Sequence, residues 1–280
     1  MSRLLITGGS GDLGRVLSKR AVAAGFDVSV TFLSRPERII AGEPVRLDLC
    51  DPAAVRQALD QIRPDIIIHT ALDQRLPDPR QQIVGMARHL DEMRAPDSRL
   101  ITLSSDMVFD GSRPPYRDDD PPAPLTAYGQ AKAETEGLGD CVVRTSLIYD
   151  FEPGNKQVDW LLGKIARREK CPLFWDEYRC PMWAVNLADA LLELATNGAT
   201  GILNVAGPQR MSRLELGRGL LDTMGYSADE HVEIVSQAGT GRPPDLTLDV
   251  SKAQRLLKTP SLTFDAARVR WQTDRARKKV

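Results

Sequence analysis

The strongest constraint on this fold lies at the start of the chain. Arg3-Leu4-Leu5-Ile6-Thr7 is an apolar stretch of strand character, Gly8 to Gly14 (GGSGDLG) is a glycine-rich turn, and Leu13 to Ala24 continues with helical apolar periodicity. A strand feeding a helix through so tight a turn commits the chain to parallel α/β architecture. The turn fits G-x-G-x-x-G at Gly9, Gly11 and Gly14, and G-x-x-G-x-x-G at Gly8, Gly11 and Gly14. Glycines there let backbone amides approach a pyrophosphate at the positive end of a helix, which points to a dinucleotide. Gly8, Ser10, Gly11, Asp12, Leu13 and Gly14 are the residues expected around it.

The second strand, Asp27 to Leu33, would end in a carboxylate if it read the ribose of NAD. Ser34, Arg35 and Arg38 follow instead, and a guanidinium at that edge suits a 2′-phosphate, so the expected cofactor is NADP with Arg35 as its reader. Val45 to Leu49 reads as a third strand with Asp48 at the adenine end, and Asp51-Pro52 opens the next helix. Ile66 to Ala71 is a β-branched run ending in small Thr70 and Ala71, which leave room for a cofactor. A helix over Arg80 to Met93 and strands at Ile101 to Ser105 and Cys141 to Ser146 complete the alternation of a doubly wound parallel sheet.

From about Asp150 the rhythm changes. Helices at Val158 to Arg168 and Asn186 to Thr196, a proline-bounded stretch at Cys171 to Pro181 and a strand at Gly201 to Val205 come next. A capping box at Ser212 to Glu215, Arg242-Pro243-Pro244 and a last helix after Asp249 close the chain. This predicts a dinucleotide-binding domain over residues 1–150, with 183–200 packing back on it, and a smaller C-terminal α/β substrate lobe over 151–280.

The chemistry is expected between Leu103 and Lys132. Ser104-Ser105 ends a buried strand at the sheet's carboxyl edge, and Thr126 caps a helix on which Tyr128 and Lys132, four apart, share a face. A hydroxyl, a phenol and an ammonium suit carbonyl reduction: Ser105 holds the carbonyl, Tyr128 donates the proton, and Lys132 lowers the phenol pKa. The proline- and aspartate-rich segment from Asp110 to Pro124 should be a loop over this site, with Asp118-Asp119-Asp120 solvated.

Lys+Arg 37 against Asp+Glu 38 gives a net charge of -1, which argues against nucleic-acid or membrane partners. No apolar run approaches the roughly 20 residues that span a bilayer, and no signal peptide precedes the first strand, so a cytoplasmic location is expected. Cys50, Cys141, Cys171 and Cys180 lack C-x-x-C spacing, and His69, His89 and His231 are scattered, so no metal site is expected.

Taken together, ITGGSGDLG (Ile6 to Gly14), RLDLCDP (Arg46 to Pro52), RPDIIIHTA (Arg63 to Ala71), LSSDMVFDG and AYGQAK resemble the extended short-chain dehydrogenase/reductases, most closely the dTDP-4-dehydrorhamnose reductase branch. VRTSLIYD, PMWAVNLADAL, GILNVAG and the segment Arg242 to Leu257 extend the resemblance over nearly the whole length. The resemblance implies a Rossmann-type fold and reduction by NADPH of a 4-keto group on a nucleotide-activated deoxysugar. Ser105, Tyr128 and Lys132 would be catalytic, Lys132 and Tyr128 would also touch the cofactor, and Leu49 would lie with Asp48 near the adenine. Ser105, Asp106 and Met107 fall on the substrate side, and Arg242 is the candidate for a substrate phosphate.

The chain also departs from that branch. No asparagine stands between Gln82 and Met86, Leu147 replaces a tryptophan, an acidic stretch is absent around Ala71 to Arg75, and Arg15 follows the glycine turn where some members use glutamates in a metal-linked dimer. A homodimer is left open. The alternatives are a reductase or epimerase of another ketone, and a non-catalytic NADP-binding regulatory subunit, as in the methionine adenosyltransferase β-subunit, which resembles the same branch.

Overall fold

Leu4 and Ile6 point to one side of a sheet and Leu5 to the other, and all three are fully buried, as the period of a strand covered on both faces requires. The structure, a computed structural model, describes residues 1–72 and 78–277. Seven parallel strands form the main sheet: β1 (Arg3–Thr7), β2 (Asp27–Phe32), β3 (Glu43–Arg46), β4 (Ile66–His69), β5 (Arg99–Ser105), β6 (Cys141–Thr145) and β7 (Gly201–Asn204). Their order is β7-β6-β5-β4-β1-β2-β3, a doubly wound Rossmann-type arrangement whose direction of winding reverses at β1.

The main helices are α1 (Asp12–Ala23), α2 (Pro52–Ile62), α3 (Pro79–Met93), α4 (Ala127–Glu134), α5 (Lys156–Ala166), α6 (Ala184–Thr196) and α7 (Arg213–Thr223). Leu13, Leu17 and Ala21 of α1 and Leu187, Leu191 and Leu194 of α6 cover the Leu4–Ile6 face. Val55 and Leu59 of α2 and Met86 and Leu90 of α3 cover the Leu5 face. A further cluster joins Tyr149, Phe151, Val158, Leu173, Leu220 and Phe264, away from the sheet. Among the described residues no helix is long and apolar enough to cross a membrane.

Three expectations are corrected. The strand at residues 201–204 does not belong to a separate lobe: it pairs in parallel with β6 and forms the edge of the main sheet. The third strand stops at Arg46, because after the Leu47 amide bonds Phe32 the Asp48 carboxylate accepts the Cys50 amide at 2.9 Å and turns the chain. Asp48 and Leu49 therefore sit in the loop beyond the strand.

The third concerns residues 110–124, which do not lie over the expected site. Tyr116 stacks on Phe109 at 4.0 Å and bridges to Leu248, while buried Arg144 reaches the carbonyls of Arg117 and Asp118 and pairs with Glu136 at 2.7 Å. These contacts hold the segment against β6 and β7. Asp118, expected to be solvated, accepts the Asn204 amide at 2.6 Å.

Candidate active site

The carboxyl ends of β1 and β4–β6 open onto a cleft of about 470 Å³. Every candidate cofactor, catalytic and substrate residue named from the sequence lines it, from Gly8 and Arg35 at one end to Arg242 at the other.

At the β1 end the glycine turn forms the cradle. A Cβ on Gly14 would stand 2.3 Å from the Gly8 carbonyl oxygen and 2.7 Å from the Gly9 Cα, so only glycine lets α1 begin this close to the strand. Ser10, Gly11 and Leu13 line the cleft there, at the start of α1. A dinucleotide pyrophosphate fits this cradle, with Thr70 and Ala71 directly against Gly8, and Asp48 and Leu49 also lining the cleft.

Asp12 has a role that spacing did not reveal. Its carboxylate accepts the Lys156 amide at 2.8 Å and pairs with Arg38 at 3.2 Å, and Arg38 also donates to the Gly154 carbonyl at 3.0 Å. This clasp carries residues 154–156 across the glycine turn, so Asn155, Lys156 and Gln157 join the cleft wall. With Arg38 held there, the exposed guanidinium at the end of β2 is Arg35.

At the β5 end, Ser105 ends the strand and caps a 3₁₀ turn, accepting the Met107 amide at 3.2 Å. Thr126 caps α4 through the Gly129 amide at 3.1 Å, as its sequence position implied. A Cβ on Gly129 would lie 2.1 Å from the Met107 carbonyl oxygen, so glycine there allows α4 to dock on the Ser105 turn. Tyr128 and Lys132 thereby face Ser105. Lys132 is 6% exposed, and its Nζ donates to the Leu103 carbonyl at 2.8 Å.

The electrostatics differ from the expected lowering of the phenol. Burial pushes Tyr128 up to about 12, the Asp106 charge adds to the rise, and a hydrogen bond with Ser105 opposes it. Burial likewise lowers Lys132 to about 8. His69 ends β4 beside this group, with its Nδ1 2.7 Å from the Thr7 hydroxyl, and burial first and the Lys132 charge second hold it neutral, down to about 3.

Asp106 lines the cleft with both oxygens engaged. Ser105 donates to Oδ1 at 3.1 Å, Ser146 donates to Oδ2 at 2.5 Å, and Arg179 lies 3.3 Å from Oδ2. Arg179 also pairs with fully buried Glu177 at 3.1 Å, and Glu177 accepts Arg242 in a bidentate pair at 2.6 and 3.0 Å. Arg242 thus lines the cleft as one end of an ion network rather than as a free cation. Arg179, Glu177 and Ser146 were not singled out from the sequence, because only the fold joins them to Asp106.

Of the departures noted above, Leu147 lines the cleft near the reactive groups. The missing acidic stretch falls partly on residues 73–75, which lie outside the described residues.

Known proteins resemble this chain in sequence or in fold. Methionine adenosyltransferase 2 subunit beta of Xenopus tropicalis is 29% identical over 279 residues, covering 91% of this chain and 82% of that protein. A crystal structure of a hypothetical dTDP-4-dehydrorhamnose reductase from Sulfolobus tokodaii is 30% identical, with a TM-score of 0.81 over 94% of this chain and 98% of that one. The Bacillus anthracis dTDP-4-dehydrorhamnose reductase in complex with NADP shares the fold at 23% identity, with a TM-score of 0.77 over 98% of this chain and 99% of that one. The family model for the RmlD substrate binding domain matches residues 2–274, and this chain belongs to that family.

Proposed function

We propose that this protein reduces, with NADPH, a 4-keto group on a nucleotide-activated deoxysugar. The observation that carries the reading is the meeting of Ser105, Tyr128 and Lys132 in the cleft that also contains the glycine cradle. A bound NADPH would supply the hydride. Ser105, turning its hydroxyl hydrogen from Asp106 to the substrate, would hold the carbonyl, and Tyr128, kept protonated by burial, would give its phenolic proton to the developing alkoxide. Lys132, fixed by the Leu103 carbonyl, would stabilise the phenolate left behind and hold the cofactor ribose.

NADP rather than NAD is supported by Arg35 at the end of β2 and by the NADP bound to the Bacillus anthracis reductase. The nucleotide on the substrate is supported by charge. Arg179, Arg213 and Arg242 stand against Glu177 and Asp106, which leaves an excess of one positive charge beside the cleft for a diphosphate. Residues of the C-terminal half outside α6 and β7 would form the substrate side.

A second reading, a non-catalytic NADP-binding regulatory subunit, is favoured by the likeness to methionine adenosyltransferase 2 subunit beta over 91% of the chain. A regulator has no chemical need of all three reactive groups. NADPH oxidation against a panel of nucleotide 4-keto sugars and simple ketones decides between them. Turnover of a nucleotide sugar is expected. Tight NADPH binding with no turnover of any panel member would favour the regulator.

A further inference from the structure

We propose that Thr145, at the carboxyl end of β6, binds a carbonyl-type group of the bound reactants in the active cleft, level with Ser105. The substrate half of this inference rests on the reductase reading. Its starting point is register: β5 and β6 are parallel neighbours in which Ser105 faces Thr145, so the two side chains leave the sheet on the same face. Arg144, one residue earlier, points to the other face, where it pairs with Glu136 and lies over the Phe109 ring.

The hydroxyls at this edge are otherwise all used. Thr102 donates to the Leu138 carbonyl, Ser104 to Glu136, and Ser105 and Ser146 to Asp106. Thr145 is 5% exposed and lines the cleft, while its Oγ1 is itself shielded from solvent and has no hydrogen-bond partner, so a ligand group would meet it only by a turn of the side chain about χ1. Burying an unpaired hydroxyl costs stability, and valine would fill the same shape without that cost. The hydroxyl therefore returns nothing to the fold. Placed level with Ser105, it can donate to an oxygen and accept from an amide. Two carbonyl-type groups fit that description: the keto oxygen of the substrate and the carboxamide of the nicotinamide.

Thr145→Val removes the hydroxyl and keeps the shape, while Thr145→Ser keeps the hydroxyl. Three quantities are measured on the full chain: thermal unfolding without added ligand, NADPH affinity, and kcat/KM for whichever panel substrate the wild type reduces. Thr145→Val should unfold at the same temperature as wild type or higher. It should lose about tenfold, the worth of one hydrogen bond, and Thr145→Ser should recover most of it. A loss in NADPH affinity assigns the carboxamide as the partner, and a loss in kcat/KM with NADPH affinity intact assigns the keto group. Wild-type affinity and kcat/KM in Thr145→Val, or a lowered unfolding temperature, would overturn the proposal. If the wild type reduces nothing, the reductase reading fails separately, and Thr145 is then judged on NADPH affinity and unfolding alone.

Discussion

Lys132 carries its ammonium in a place that water barely reaches, and this makes a quantitative prediction. With 6% exposure and one carbonyl partner, it titrates at about 8 in the folded protein instead of 10.5. Between those values the unfolded chain holds a proton that the native state has released, so unfolding takes up a proton and stability rises with pH. Below about pH 8 the penalty of the buried charge is fully present. Lys132→Met removes the group and keeps an unbranched side chain to pack. The wild-type unfolding free energy, relative to Lys132→Met, should therefore rise by about 2.5 kcal/mol between about pH 7 and pH 10. Urea unfolding at the two pH values measures it, and thiols and phenols common to both proteins cancel in the difference. A difference constant to within about 0.5 kcal/mol, or one that shrinks, would refute the argument that desolvation sets this pKa. The same titration should appear in catalysis. Reduction should fall about tenfold per pH unit above pH 8 in the wild type, and Lys132→Arg, which keeps its charge, should lose that limb.

Three further outcomes follow from the cleft. Tyr128→Phe should retain NADPH binding and lose roughly 10²- to 10⁴-fold in turnover, and near wild-type turnover would remove Tyr128 as the acid. Arg35→Ala should weaken NADPH by roughly tenfold or more and leave NADH unchanged, as compared by titration, because Arg38 is already committed to Asp12 and Gly154. Arg242→Ala should weaken a nucleotide-sugar substrate or the free nucleoside diphosphate by roughly ten- to a hundredfold without changing NADPH affinity. Unchanged affinity for both would return Arg242 to a purely structural partnership with Glu177 and favour a ketone that carries no nucleotide.

The parts of the fold that were legible are those whose cause is local. Apolar runs marked the main strands to within a few residues, and Thr126, Asp51 and the Ser212–Glu215 box mark helix starts because a cap bonds its own first turn. The strand at residues 201–204 is legible as a strand, but its place in the main sheet rather than in the C-terminal lobe is not. Nothing in Gly201-Ile202-Leu203-Asn204 specifies β6 as its partner; the intervening helix α6, apolar enough to cover α1, returns the chain to the main sheet. The position of segment 110–124 is hidden for a similar reason. Its proline and aspartate content excludes regular structure but not attachment, and the attachment comes from Arg144, a buried cation whose partners, Glu136 and the carbonyls of Arg117 and Asp118, lie 8, 27 and 26 positions before it in sequence.

The site divides along the same line. Tyr128 and Lys132 could be paired from a four-residue spacing, and the glycines from a turn that only glycine permits, because both are geometries internal to one element. What sets the chemistry of those groups is not. The phenol value depends on the burial that α4 acquires by docking on the Ser105 turn, so a reading of neighbouring charges alone predicted the wrong direction. Asp106 is a plausible substrate contact in a linear motif, but in the fold it is held between Ser105, Ser146 and Arg179, and Arg179 leads through Glu177 to Arg242. That connection spans 136 positions from Asp106 to Arg242. It gives Arg242 a consequence that an isolated arginine would lack: an anion drawing on its guanidinium competes with Glu177, and any rearrangement of Glu177 is felt by Arg179 and by the carboxylate against which Ser105 is set.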